Sequence, residues 1–453
     1  MSAPTATPVT FSGRAGRALA DERMRAAIAR GTGIMVQRRH EAISELANAD
    51  ELRDAAAAIR AATLQRLPEL LARWSDQLAA RGGHVHWATD ADEATAIVAG
   101  IVRRRGGKAI AKGKSMISEE IHLNEVLERA GAEVTETDLG EFIQQLAGEP
   151  PSHIVAPAMH KDRFEVAELL SADRGAPVSP EISAEADYAR RRLRQAFLDA
   201  GVGITGVNFA VAATGSICLV ENEGNGRMCS SLPPTHIALM GLERIVADFA
   251  ELDVMLNLLA RSATGQALTV YTNIITGPRR GDEIDGPEEL HVVVLDGGRS
   301  AALGTRFSPA LHCIRCGACL NVCPVYRQVG GHAYDSVYSG PIGAVLTPLL
   351  RPDDPAAREL PEASSLCGAC TEICPVRIPL HDLLLHLRHR DARADASALR
   401  RMGFWLWSQV WSRRRAFGMT VLAARLGLPL LRRMRHLPNV GWLGAWRRGR
   451  ELP

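Results

Sequence analysis

The sequence predicts an α/β fold: a parallel β-sheet covered by helices, preceded by a helical arm and followed by a small α-helical domain organised around cysteines. Three observations predict it. Before residue 82 apolar residues recur at helical spacing. Between residues 83 and 300 short apolar segments alternate with helical ones, the pattern of strands joined by crossover helices. Seven of the nine cysteines then fall between Cys313 and Pro375.

A chain of 453 residues is long enough for two or three domains, and 46% apolar with 23% charged residues is ordinary for a soluble globular protein. A net charge of +2 points to no particular partner. The N-terminus has no basic segment followed by an apolar core, and no apolar run approaches the roughly twenty residues that cross a bilayer. Reduced cysteines without an export signal place the expected location in the cytoplasm.

Residues 1–82 read as a polar tail and a helical arm, with Leu64, Leu67, Leu70 and Leu71 on one face. No chemistry is read in them. In the next stretch, residues 83–300, strands are expected at 84–87, 108–111, 132–137, 152–156, 206–212, 215–221 and 291–296, with helices over 90–105 and 115–130.

Two loops in this domain are candidate ligand sites. Lys112-Gly113-Lys114-Ser115 follows a strand and opens a helix, where free amides favour an anion. Lys112, Lys114 and Ser115 are its candidate contacts. It lacks the first glycine of a phosphate-binding loop, and a capped helix with solvated lysines explains it as well. Glu221 to Arg227 lies at a strand end, the edge at which open α/β sheets bind ligands. There Glu223, Asn225 and Arg227 are candidates, an arginine fork suiting a carboxylate. An ordinary turn is the alternative. His236 could join this second site, a capping or packing histidine beside a helix start being the first reading, and Asp138 with Glu141 could do acid–base work, a solvated helix start being the first reading. No strand is followed by G-x-G-x-x-G, so a flavin or nicotinamide is not expected.

The cysteine runs read Cys313-x-x-Cys316-x-x-Cys319-x-x-x-Cys323-Pro324 and Cys367-x-x-Cys370-x-x-x-Cys374-Pro375. The first is the bacterial-ferredoxin spacing, in which the cysteine before proline serves the other cluster. Two [4Fe–4S] clusters follow. Crossing the ligands gives Cys313, Cys316, Cys319 and Cys374 to the first cluster and Cys323, Cys367 and Cys370 to the second. The second set is one short. Stepping back by the same x-x interval reaches Ser364, leaving that hydroxyl, another side chain, water or an outside ligand to complete the site. More than four cysteines, three of them closely run, disfavour a single zinc site, and a long chain without an export signal disfavours a disulfide framework. Cys218 and Cys229 read as buried thiols.

Lys112-Gly113-Lys114-Ser115, Glu136 to Glu141, Pro151-Ser152-His153-Ile154 and Glu223 to Arg227 resemble the lactate-utilisation (LUD) domain. Joined to the two cysteine runs, the order resembles the lactate utilisation protein B family over roughly residues 40 to 410. The resemblance implies a LUD α/β domain related in fold to CoA-transferase and sugar-isomerase domains, over 83–300, then a ferredoxin-type two-cluster domain over 301–390. It implies an iron–sulfur subunit of a system oxidising L-lactate to pyruvate, with other subunits as partners. It supplies no substrate contacts.

After Pro379, Leu380, Leu383, Leu384 and Leu387 form the buried stripe of a helix. Tyr326, Tyr334 and Tyr338 lie between the cysteine runs, where packing explains them. Residues 391–453 form a basic tail holding Trp405, Trp407, Trp411, Trp442 and Trp446 among paired arginines. Docking to an acidic partner subunit is the first reading, peripheral contact with the inner face of a membrane the second, and nucleic acid is not expected because no DNA-binding pattern accompanies the arginines. The expected function is electron relay from lactate to another carrier protein or a quinone. The rival readings are an enzyme acting on a carboxylate or phosphorylated substrate with accessory clusters, and an iron–sulfur redox sensor.

Overall fold

The computed structural model describes residues 10–395 and 398–433, which separate into a unit ending at Arg388 and a second beginning at His389. The helical arm is four helices: Phe11–Ala20, Glu22–Ser44, Ala49–Gln65 and Leu67–Ala79. Thr10 and Asp21 cap the first two through their side chains, accepting the Gly13 and Met24 amides. Leu70, Trp74 and Leu78 bury the face of the fourth helix, and the Trp74 indole N–H donates to Ser216 O.

The large sheet has six parallel strands: β1 (His84–Ala88), β2 (Ala109–Lys112), β3 (Glu133–Glu136), β4 (Val202–Gly206), β7 (Thr235–Gly241) and β10 (Glu289–Leu295), in the order β1-β10-β7-β4-β2-β3. A smaller sheet, in the order β8-β5-β6-β9, contains β5 (Phe209–Val211), β6 (Ser216–Glu221), β8 (Ile245–Val246) and β9 (Tyr271–Ile275). There β6 runs antiparallel to both β5 and β9. The α/β expectation holds, with a small mixed sheet added to it, in which β5 and β8 pair in parallel.

The local departures have physical reasons. Residues 115–130 form two short helices, Met116–Glu120 and Leu123–Arg129, broken at His122 with φ of 51°. The strand expected at 152–156 is irregular backbone: prolines flank it at 150, 151 and 157, Ser152 N bonds Pro157 O, and the Val155 and Ala156 amides bond His153 Nδ1 instead of a neighbouring strand. His236 is not beside a helix start. It lies within β7, fully buried between strands, with Nε2 at 2.8 Å from Thr205 Oγ1. Strand β7 is apolar almost throughout because both faces are covered, and the Pro233-Pro234 before its Thr-His start hid it.

The cysteine region packs on the α/β domain through the 152–155 loop. Tyr326 Oη donates to Ser152 O at 2.8 Å, and a Cβ on Gly331 would stand 1.8 Å from that same oxygen, so only glycine fits. Helix Leu380–Asp395 buries Leu380, Leu383, Leu384 and Leu387 as expected. In the second unit, helices Ala398–Trp411 and Arg414–Arg433 expose Trp405, Trp407 and Trp411. Trp442 and Trp446, with Arg447 and Arg448, lie outside the described residues. No helix among the described residues is long and apolar enough to cross a membrane.

Candidate metal centre and adjoining cavity

The two cysteine runs fold as two copies of one turn. Arg315 (φ 62°) and Gly317 (φ 72°) bend the first; Leu366 (φ 54°) and Gly368 (φ 83°) bend the second. Each glycine opens a one-turn helix, Ala318–Val322 or Ala369–Ile373, and each helix runs into Cys-Pro. Left-handed backbone turns the intervening amides inward, and non-glycine residues adopt it here at a cost in strain. Amides accordingly point at sulfur: Arg315 N donates to Cys313 Sγ, Tyr326 N to Cys323 Sγ and Ile378 N to Cys374 Sγ, at 3.4, 3.5 and 3.4 Å.

The thiols gather in two sets. Burial, then the neighbouring Cys374 and Cys313, pushes Cys316 up to about 12, and Cys319 is raised by burial, then by Cys313, Cys316 and Cys374, and last by Cys370 of the second set. Burial, then Cys323 and Cys367, pushes Cys370 up to about 11. Cys313, Cys316, Cys319 and Cys374 line a small cavity with Ile314, Ile342 and other apolar residues. Four sulfurs converging in an apolar pocket, with backbone amides aimed at them, fit an iron–sulfur cube, whose iron supplies the charge that makes buried thiolates tolerable. The second set is nearer solvent: Cys367 is exposed and its pKa is lowered, chiefly by the Ala369 amide and then the Ser365 hydroxyl. Ser364 Oγ accepts the Leu366 amide at 3.1 Å. Cys218 and Cys229 are buried thiols, each pushed up to about 12 chiefly by burial.

The helical arm, in which the sequence suggested no chemistry, supplies guanidinium groups to this region. Arg39 donates to Ile373 O at 2.9 Å; Arg53 donates to Cys374 O at 3.1 Å and also to Glu372 O. Arg60, fully buried, donates to Ile245 O, Glu243 O and Leu311 O. From the sheet side Arg244 donates to Cys313 O at 2.8 Å. Burial lowers the Arg39 pKa, opposed by the charges of Cys316 and Cys374, so these cations serve the first thiol set. The signal that would have found them is arginine on the inward face of an Ala-rich helix, Arg53 and Arg60 being seven residues apart.

A cavity of ≈ 270 Å³ opens at the C-terminal ends of β2, β4 and β7. Lys114, Ser115, Glu223 and Asn225 line it, as does Asp138. Ser115 caps the following helix through the Ser118 amide, and Asp138 caps helix Leu139–Ala147. Arg244, Arg315 and Tyr338, which the sequence did not single out as ligand contacts, complete the wall. Arg227 is exposed and stacks on Tyr271 at 5.0 Å, away from the lining. Lys112 is also outside it. Its ammonium is buried between Glu136 Oε1 at 2.6 Å and Glu119 Oε1 at 2.7 Å. Glu141, expected in a solvated helix start, is 2% exposed, and neither carboxylate oxygen has a hydrogen-bond partner among the described residues. Burial, then the Glu136 charge, raises its pKa well above the usual carboxylate range.

Between cavity and cysteines stands His153. Its Nδ1 accepts the Val155 and Ala156 amides, which leaves Nε2–H to face Asn321 Oδ1 at 3.2 Å. Burial, then the Lys114 charge, pushes its pKa down to about 3, so it is neutral.

Residues 71–295 match the LUD domain family, and residues 309–378 match the 4Fe-4S dicluster domain family. The protein described as "Lactate utilization protein B" of Bacillus subtilis (strain 168) is 50% identical over 389 residues, covering 86% of this chain and 81% of its own. The proteins of that description in Bacillus velezensis and Bacillus thuringiensis (strain Al Hakam) are also 50% identical, over 86% and 84% of this chain and 82% and 80% of theirs. The crystal structure of a DUF162 family protein from Deinococcus radiodurans aligns with 51% of this chain and 98% of its own at 16% identity, with a TM-score of 0.28, too loose a likeness to carry an argument.

Proposed function

Because the chain belongs to the lactate utilisation protein B family and so has a role in lactate utilisation, we propose that it is the iron–sulfur electron-transfer subunit of an L-lactate-oxidising system. Cys313, Cys316, Cys319 and Cys374 would hold one cluster, and Cys323, Cys367 and Cys370 the second, whose fourth ligand is open, Ser364 being one candidate beside another side chain, water or an outside ligand. Two bound cubanes supply two one-electron carriers, which together match the two electrons released when lactate becomes pyruvate.

The observation that carries this reading is the crossed grouping of the thiols, in which Cys374 of the second run joins the first set. The chain's own groups have distinct tasks. Arg39, Arg53, Arg60 and Arg244 hold the loop carbonyls and set positive charge beside the first set. Exposed Cys367 puts the second set where a partner can approach. Partner subunits, a carrier protein or a quinone are the chemistry such a surface serves, and the exposed tryptophans of the tail offer a docking or peripheral membrane face.

The test is iron and sulfide analysis with electron paramagnetic resonance on protein purified without oxygen and then reduced. Two interacting low-potential signals are the expected result. One signal or none from fully loaded protein overturns the relay.

A further inference from the structure

The α/β domain and the first cysteine loop share a wall of the ≈ 270 Å³ cavity. Arg315 belongs to that loop: its backbone amide bonds Cys313 Sγ, its guanidinium lies 4.4 Å from the Tyr338 ring centroid, and its Nη1 has no hydrogen-bond partner among the described residues. Its Nη2 reaches Glu243 Oε1 at 3.2 Å, a carboxylate also paired with Arg299. Arg244, 5% exposed, meets only backbone oxygens with its hydrogen bonds. Lys114 Nζ donates to Val155 O at 2.6 Å and has two further protons to offer. Three cations thus face one space with donor capacity left over.

The opposite wall is acidic. Glu223 accepts the Leu139 amide at 3.1 Å and lies beside Asp138. The residue as a whole is exposed, but its carboxyl is turned to the rim of the cavity, where burial and then the Asp138 charge raise its pKa to about 7. A carboxyl raised in this way accepts a hydrogen bond when ionised and donates one when protonated. Such a pair of walls discriminates by charge. A phosphate dianion would meet Glu223, Asp138 and Glu221 across the cavity, whereas a monocarboxylate satisfies the cations and leaves its other end neutral.

We infer that this cavity binds a short-chain monocarboxylate bearing a 2-hydroxy or 2-oxo group, with its carboxylate on Lys114, Arg244 and Arg315 and its second oxygen at Glu223. The inference deepens the function proposed above and rests on it for the identity of the acid. It makes Arg315 the side chain that touches ligand while its own amide touches Cys313, so an occupied cavity lies next to the first cysteine set.

The test is isothermal titration calorimetry of cluster-loaded protein under argon, with L-lactate, pyruvate, propionate and inorganic phosphate as titrants. L-lactate or pyruvate is expected to saturate one site per chain, with propionate and phosphate weaker by at least about tenfold. Lys114→Gln, whose side chain bonds Val155 O and no cysteine, weakens lactate by about tenfold or more while iron content stays the same. Glu223→Gln removes the pH dependence of binding between about pH 6 and pH 8. Absence of saturable heat with both acids, phosphate binding more tightly than either, or Lys114→Gln and Glu223→Gln both binding as the parent does would overturn the inference. The paramagnetic signals of the same samples separate it from the relay: two cluster signals without binding heat leave the relay standing and remove the ligand site, and heat without two signals does the reverse.

Discussion

Ser364 and Cys313 occupy the same place in two copies of one turn: the Leu366 amide donates to Ser364 Oγ at 3.1 Å as the Arg315 amide donates to Cys313 Sγ at 3.4 Å. The serine therefore already has the backbone setting of a cluster ligand, but carries a harder, less acidic donor. Ser364→Cys should complete the second set. The expected outcome is slower loss of iron on exposure to air, by about threefold or more, read as iron per chain against time. An unchanged rate would show that Ser364 does not face the cluster.

Cys374→Ala distinguishes crossed from uncrossed ligation. Cys374 lies in the second run but lines the cavity of the first set. The substitution should remove the first cluster, leaving about half of the iron, with the second cluster's signal intact. If the signal lost is instead the one that Cys367→Ala removes, the crossing is wrong.

Arg39→Gln tests the electrostatic role of the helical arm. Glutamine removes the charge and, its amide nitrogen standing where arginine has Nε, also shortens the reach to Ile373 O, so Arg39→Lys, which keeps the charge, is the control. Removing one positive charge near Cys316 and Cys374 should lower the first cluster's potential by on the order of 50 mV, taking an effective dielectric of about 20. Potentiometric titration reads the shift directly. No shift would reduce the arginine to a purely structural donor.

Glu141 sets a pH dependence of stability. Its pKa is raised in the folded chain by burial and by Glu136, so the folded state holds this proton where the unfolded chain has released it. The contribution is fully present below the unfolded carboxylate pKa and is lost as pH rises through the raised folded value. Glu141→Gln should then flatten the fall in melting temperature from mildly acidic to neutral pH and gain a few degrees at the upper end. Parallel melting curves for the two proteins across that range would remove Glu141 as the cause.

Much of this was legible in the sequence because spacing carries it. The cysteine runs, the strand and helix alternation and the Leu380 to Leu387 stripe are local patterns that survive into the structure. Strand β7 was not legible, since a buried central strand that follows Pro233-Pro234 and begins Thr-His carries no alternation. Lys112 read as a loop cation because nothing local announces Glu119 and Glu136, which close on it from other elements. Arg244 and Arg315 escaped notice for the same reason: one follows a strand and the other sits inside a cysteine turn, and only tertiary folding sets them on one wall.

The grip of Arg39, Arg53 and Arg60 on the cysteine loops bears on how the molecule comes into being. Arg53 meets its carbonyl at Cys374 across 321 positions of chain, and Arg377 answers with Asp54 and Asp50 on the same helix. During synthesis these arginines emerge long before the loops they hold, and the last thiol of the first set arrives after the whole of the α/β domain. Metal loading of the finished site therefore follows translation of the whole span, and a cysteine-rich fragment produced by itself would lack the clasp that keeps its turns in register.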